Sequence, residues 1–165
     1  MATSTGERAE LLGMLAQERH FLRYTTRGLT DEQAASRTTA SELCLGGLIK
    51  HVTATEQMWL RFVAGGAEAM NSVTTDRATD FRMVEGDTLA GLLAGYEQAA
   101  NNTAEVIATQ PDLDASHELP DKPWFERGAR WSVRRVLLHL IAETAQHAGH
   151  ADILRESLDG QKTMG

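Results

Sequence analysis

The chain has 165 residues, 42% hydrophobic and 24% charged, with a formal net charge of −7. That length suits one domain spanning residues 1–165, in which roughly 70% of the unfolded surface can be buried, and the composition excludes a disordered chain. The acidic balance argues against a nucleic-acid binder, whose affinity rests mainly on phosphate neutralisation, and the single cysteine, Cys44, excludes an internal disulfide and fits a reducing compartment.

The N-terminal residues lack the basic start and apolar run of a signal peptide. No apolar stretch approaches the ~18 residues of a membrane span, so a cytoplasmic protein with no membrane partner is expected. The first helical segment runs from about Glu7 to Arg27, with Leu11, Leu12, Leu15, Phe21 and Leu22 as its apolar stripe and Gly28 as a stop. A short turn follows, with Thr30 as N-cap and Gln33 as the sign of a capping box. The second helix runs from about Leu43 to Ala64, where Gly65 and Gly66 end it. The third opens at Asp87 as N-cap and continues to about Thr109, before Pro111. The fourth opens at Ser132 and continues to about Leu158, with Gly160 at the C-terminal cap position. Strand signals are almost absent: neither Met70 to Val84 nor Asp112 to Arg130 alternates. Four amphipathic helices imply an all-α four-helix bundle. The links between them are long enough to cross the bundle or wall a pocket.

The fourth helix concentrates the polar chemistry. His139, Glu143, His147 and His150 recur at steps of three and four residues. They therefore share a stripe about 80° wide at ~100° per residue. Val136 and Leu154 lie on the same stripe, so the cluster is expected to face the interior. Buried ionisable groups need partners, and a metal ion is one. A single such histidine is more often a hydrogen-bonded core residue; three with a glutamate favour a ligand set. At ~1.5 Å rise per residue one metal cannot take both His139 and His147. The pairs that can chelate are His139 with Glu143, or Glu143 with His147. A third ligand must come from another helix, since catalytic zinc commonly has three protein ligands and an open position.

The second helix offers His51, on a face with Cys44, Leu48, Thr55, Met58, Trp59 and Phe62. The three last are read as core packing. Cys44 lies roughly 10 Å from His51 along a regular helix, which makes it a small core residue rather than a co-ligand.

Leu45-Gly46-Gly47-Leu48-Ile49-Lys50-His51, followed by Glu56 and Trp59, resembles the second-helix signature of the DinB-like superfamily. The stretch RWSVRRVLLHLIAETAQHAGHADILRE, from Arg130 to Glu156, resembles the fourth helix of its actinobacterial branch. The resemblance covers nearly the whole chain. It implies a bundle in up-down-down-up order, with a crossover from Gly65 to Gly86 between the second and third helices. It also implies a metal triad with one ligand on the second helix and two, four residues apart, on the fourth. Those positions are His51, Glu143 and His147. Many members have histidine where this chain has Glu143, and His–Glu–His resembles the set of mycothiol-dependent maleylpyruvate isomerase. His139 and His150 become pocket groups able to move a proton; His150 sits where many relatives carry glutamine. That isomerase has an additional C-terminal domain, whereas this sequence ends at Gly165. The single-domain relatives, which resemble thiol S-transferases using mycothiol, bacillithiol or glutathione, are the better comparison.

The resulting expectation is a divalent-metal-dependent transferase. The ion, zinc first and nickel, iron or manganese as alternatives, holds a mycothiol-like thiol as thiolate for attack on an electrophile. Arg130, Arg134 and Arg155 are candidates to clamp a carboxylate on either substrate, though each is read first as a surface charge. The alternatives are hydrolysis by a metal-held hydroxide on the same ligands, and a non-enzymatic, metal-stabilised dimeric binding protein. The apolar residues around Val136, Leu137, Leu138, Leu140 and Ile141 need cover on several sides, and a homodimer is expected.

Overall fold

Three of the four long helices begin where a side chain accepts from one of their first free amides, and the first begins at a glycine with no such cap. The protein is described from a computed structural model covering residues 6–74 and 79–163. The leader-free reading of residues 1–5 and part of the crossover, 75–78, fall outside the described residues. Helix α1 spans Glu7–Tyr24, the short α2 spans Asp31–Ala35, and α3 spans Leu45–Asn71. Helix α4 spans Leu89–Thr109 and α5 spans Val133–Asp159. At α2 both bonds of the capping box are made: Gln33 N–H donates to Thr30 Oγ1, and Thr30 N–H donates to the Gln33 side chain. Ser132 caps α5 by accepting from Arg135 N–H at 3.1 Å, and Gly160 closes that helix in the left-handed conformation.

Two helix boundaries and one small sheet differ from the expectation. The cap of α4 is Thr88, which accepts from Gly91 N–H. Asp87 instead accepts from Lys50 Nζ at 2.8 Å and from Val84 N–H at 2.9 Å, tying the crossover to α3. Gly65 and Gly66 do interrupt α3, with Gly66 at φ 72°, but the chain re-enters helix and continues to Asn71. A two-stranded antiparallel sheet, β1 (Ser116–Glu118) with β2 (Arg130–Ser132), pairs His117 with Trp131. Strands of three residues are too short to show alternation, which is why sequence pattern missed them.

Contacts at the helix ends fix the directions. Arg134, at the start of α5, pairs with Glu7 at the start of α1. Near the other ends, Arg155 donates to the carbonyls of Thr25 and Arg27. Helices α1 and α5 are therefore parallel. Lys50–Asp87 and Glu56–Thr103 contacts make α3 and α4 parallel. His51 beside His147 and Trp59 beside His139 make α3 and α5 antiparallel. The order is up-down-down-up, and the all-α DinB-like bundle is the fold. No helix among the described residues is long and apolar enough to cross a membrane.

The core has two apolar clusters. One gathers Leu15, Trp59, Phe62, Ile107, Val136, Leu137 and Leu140; the other gathers Leu22, Leu48, Ile49, Val52, Tyr96, Ala151 and Leu154. Between them each long helix contributes one buried polar residue: Arg19, Glu56, Thr103 and Thr144. Arg19 Nε donates to Glu56 at 3.1 Å, and Thr103 donates its hydroxyl to the same carboxylate. A charge in this position requires such partners.

Candidate metal centre

Helix α5 presents Glu143 and His147 one turn apart, and α3 brings His51 to them from the facing helix. One donor atom from each of the three lies within 4.8 Å of the others. His51 Nε2 is 4.0 Å from Glu143 Oε1, and the rings of His51 and His147 meet edge to face at 4.8 Å. All three are partly buried, which lets a small molecule reach them. Among the described residues this is the one group of histidine, cysteine, aspartate or glutamate so arranged.

The two other histidines of the α5 stripe separate into different surroundings. His150 Nδ1 lies 3.3 Å from His147 Nδ1, so His150 engages one ring nitrogen of His147. His139 lies a turn earlier, edge-on to Trp59 at 5.0 Å and to Trp131 at 5.2 Å. Those two indoles stack at 4.7 Å. Burial pushes the pKa of His51 down, with the His147 charge adding to it and Glu143 and Asp80 opposing. Burial likewise lowers His139 and His147. Neutral imidazoles are the form that coordinates metal.

The arginines considered as clamps are committed elsewhere. Arg155 is 2% exposed, held by two backbone carbonyls and Asp159, which contradicts its reading as a surface charge. Its stem and charge lock the C-terminal ends of α1 and α5 together. Arg134 pairs with Glu7 and Asp114, and Arg130 donates to Ser116. Cys44 is buried outside the triad. It caps α3, its sulfur accepting from Gly47 N–H at 3.4 Å.

Phe81 and Asp80, in the crossover, carried no signal in the sequence reading. The Phe81 ring stacks on His51 with centroids 4.0 Å apart and planes at 24°. A Cβ at Gly47 would collide with the Phe81 carbonyl, and one at Gly46 would collide with the Met83 side chain. The paired glycines of the second-helix motif are thus explained by close approach of the crossover, the signal from which its packing could have been suspected.

A family model described as mycothiol-S-transferase matches residues 10–160. No curated protein matches the chain.

Proposed function

We propose that this chain, which belongs to the mycothiol-S-transferase family within the DinB-like superfamily, holds one divalent ion with His51, Glu143 and His147. It uses the ion to transfer a mycothiol-class thiol to an electrophilic carbon. The observation that carries this reading is the convergence of the three donors from two antiparallel helices. Ligand bonds of about 2.1 Å allow no two donors to be more than ~4.2 Å apart. The observed spread of up to 4.8 Å needs only small side-chain rotations. Two neutral imidazoles and a carboxylate suit zinc, which we take as the ion.

The ion supplies one thing when bound: it lowers the pKa of a thiol at its open position, so that the nucleophile is present near neutral pH. The remaining work belongs to the chain. Glu143 brings negative charge to offset the cation. His150 orients His147 through the Nδ1–Nδ1 contact. His139, with a lowered pKa in its indole surround, is a neutral base able to take the thiol proton. The protein acts in the cytoplasm, where low-molecular-weight thiols are kept reduced. We take it to act as a homodimer, with the exposed Leu138 and Ile153 of α5, 44% and 60% exposed, as the apolar contacts between its copies.

The test is elemental analysis of the purified protein joined to conjugation assays. Mycothiol, bacillithiol and glutathione are each offered with an alkyl halide electrophile. Stoichiometric metal with thiol-dependent, metal-dependent conjugation is the expected result. Thiol-independent hydrolysis would shift the reading to a hydrolase, and metal without turnover would leave a binding protein.

A further inference from the structure

Metal-ligating histidines almost always give their second ring nitrogen to a carboxylate, carbonyl or water, which fixes the ring's plane. Among the described residues no protein atom hydrogen-bonds a ring nitrogen of His51; the carboxylates that act on it are Glu143, at 4.0 Å, and, more weakly, Asp80, and neither forms a hydrogen bond to it. What defines its plane is the Phe81 ring, nearly parallel and 4.0 Å away. The same ring lies 6.0 Å from His147, so it borders two of the three donors.

Phe81 is itself held. Its carbonyl sits against the backbone of Gly47 so closely that any side chain there would displace it. The Cys44 thiol donates to that carbonyl at 3.7 Å. Six residues on, Asp87 anchors the segment to Lys50, one position before His51 in α3. The crossover is therefore pinned to α3 at Phe81 itself and again at Asp87. A ring fixed by backbone contacts can orient a neighbour at little further entropy cost, because it is already immobile.

We infer that Phe81 is a positioning residue for His51, its fixed ring taking the place of the outer hydrogen bond that normally orients a metal-binding imidazole. This rests on the metal reading proposed above. Core packing alone would ask only for apolar volume at this position; positioning asks for a flat ring.

The experiment measures Zn²⁺ affinity by chelator competition, and the visible spectrum of the Co²⁺-loaded protein, for the parent, Phe81→Leu, Phe81→Tyr and His51→Ala. Far-ultraviolet circular dichroism reports the fold of each. Phe81→Leu should weaken Zn²⁺ about 10-fold or more, the range for loss of an outer partner, and alter the Co²⁺ spectrum. Phe81→Tyr should retain the parent's affinity and spectrum. Should Phe81→Leu lose helix content, Phe81→Met makes the same comparison. Parent-like affinity and spectrum in a folded ringless variant would overturn the inference while leaving the metal reading intact. A parent that binds no Zn²⁺, or a His51→Ala protein that binds it equally well, would overturn the metal reading itself.

Discussion

Glu56 and Arg19 form an ion pair inside the bundle, the glutamate 2% and the arginine 8% exposed, with Arg19 Nε 3.1 Å from the carboxylate. Thr103 completes the carboxylate's partners from a third helix. Replacing Glu56 with Leu would leave the guanidinium buried without its counter-charge. The expected loss is about 3–5 kcal/mol of stability, the range for breaking one side of a buried pair. Thr103→Val, which removes one hydrogen bond and keeps the shape, should cost about 1–3 kcal/mol. Urea denaturation checks both; equal and small losses would mean the pair is solvated in solution.

His147→Ala should reduce metal affinity by more than the about 100-fold that loss of an outer-shell partner costs, and abolish thiol transfer. The fold should survive, since the bundle has an apolar core of its own, unlike a zinc finger. Full metal content and full activity in this variant would remove His147 from the ligand set. Glu143→Gln should keep volume and one oxygen, weaken the metal, and change the pH at which the thiol becomes reactive.

His139 and His150 should separate in their effects. His139→Asn should leave metal content unchanged while lowering kcat, by about 100-fold if proton transfer is its task. His150→Ala, acting through His147, should lower metal affinity first. Metal titration and turnover measured together for both variants decide this, and identical profiles would contradict the division of roles.

The metal-free protein should lose stability as pH falls below about 6.5, the ordinary histidine value. His51, His139 and His147 have folded pKa values below that, so the unfolded chain takes up protons first and is favoured as pH drops. The loss is complete once pH passes below the folded values. Glu7 and Asp159 act in a separate window. Hydrogen bonds from Arg134 and Arg155 respectively lower their pKa values, so their contribution disappears only as pH falls below about 4. Thermal melts from pH 8 to 3 should show two descents, the first reduced in a His51→Phe, His147→Leu double variant. A flat profile between pH 7 and 5 would contradict the burial of these rings.

Leu138→Glu with Ile153→Lys, on the exposed face of α5, should shift the protein from dimer to monomer in sedimentation at micromolar concentration. A parent that sediments as a monomer would remove the homodimer.

What the sequence made legible was what helices encode locally. Helical phase set Glu143, His147 and His150 on one stripe, and serine, threonine and glycine marked several ends, because capping is decided within four residues. Glu56 was visible only as part of a resemblance. Its partner Arg19 comes from another helix, and no periodicity links two segments so far apart. Phe81 sits in a segment without a repeating pattern, so nothing in its neighbours announced that it meets His51. Arg155 was misread for the same reason: a long basic side chain near a helix end reads as solvated until the carbonyls of Thr25 and Arg27 are brought to it.

The bonded group of Arg19, Glu56 and Thr103 also sets how high α1, α3 and α4 stand against one another. Apolar packing by itself tolerates sliding, since one leucine replaces another a turn away. A slip of one turn, ~5.4 Å, would carry the Arg19 guanidinium away from Glu56 and into the aliphatic layers beside it. The same slip between α3 and α5 would exceed the whole spread of the three donor atoms. The ion pair at the centre of the bundle thus acts as a registration mark for α1, α3 and α4, while α5, which carries Glu143 and His147, is held level with α1 at its two ends by Arg134–Glu7 and by Arg155 on the carbonyls of Thr25 and Arg27.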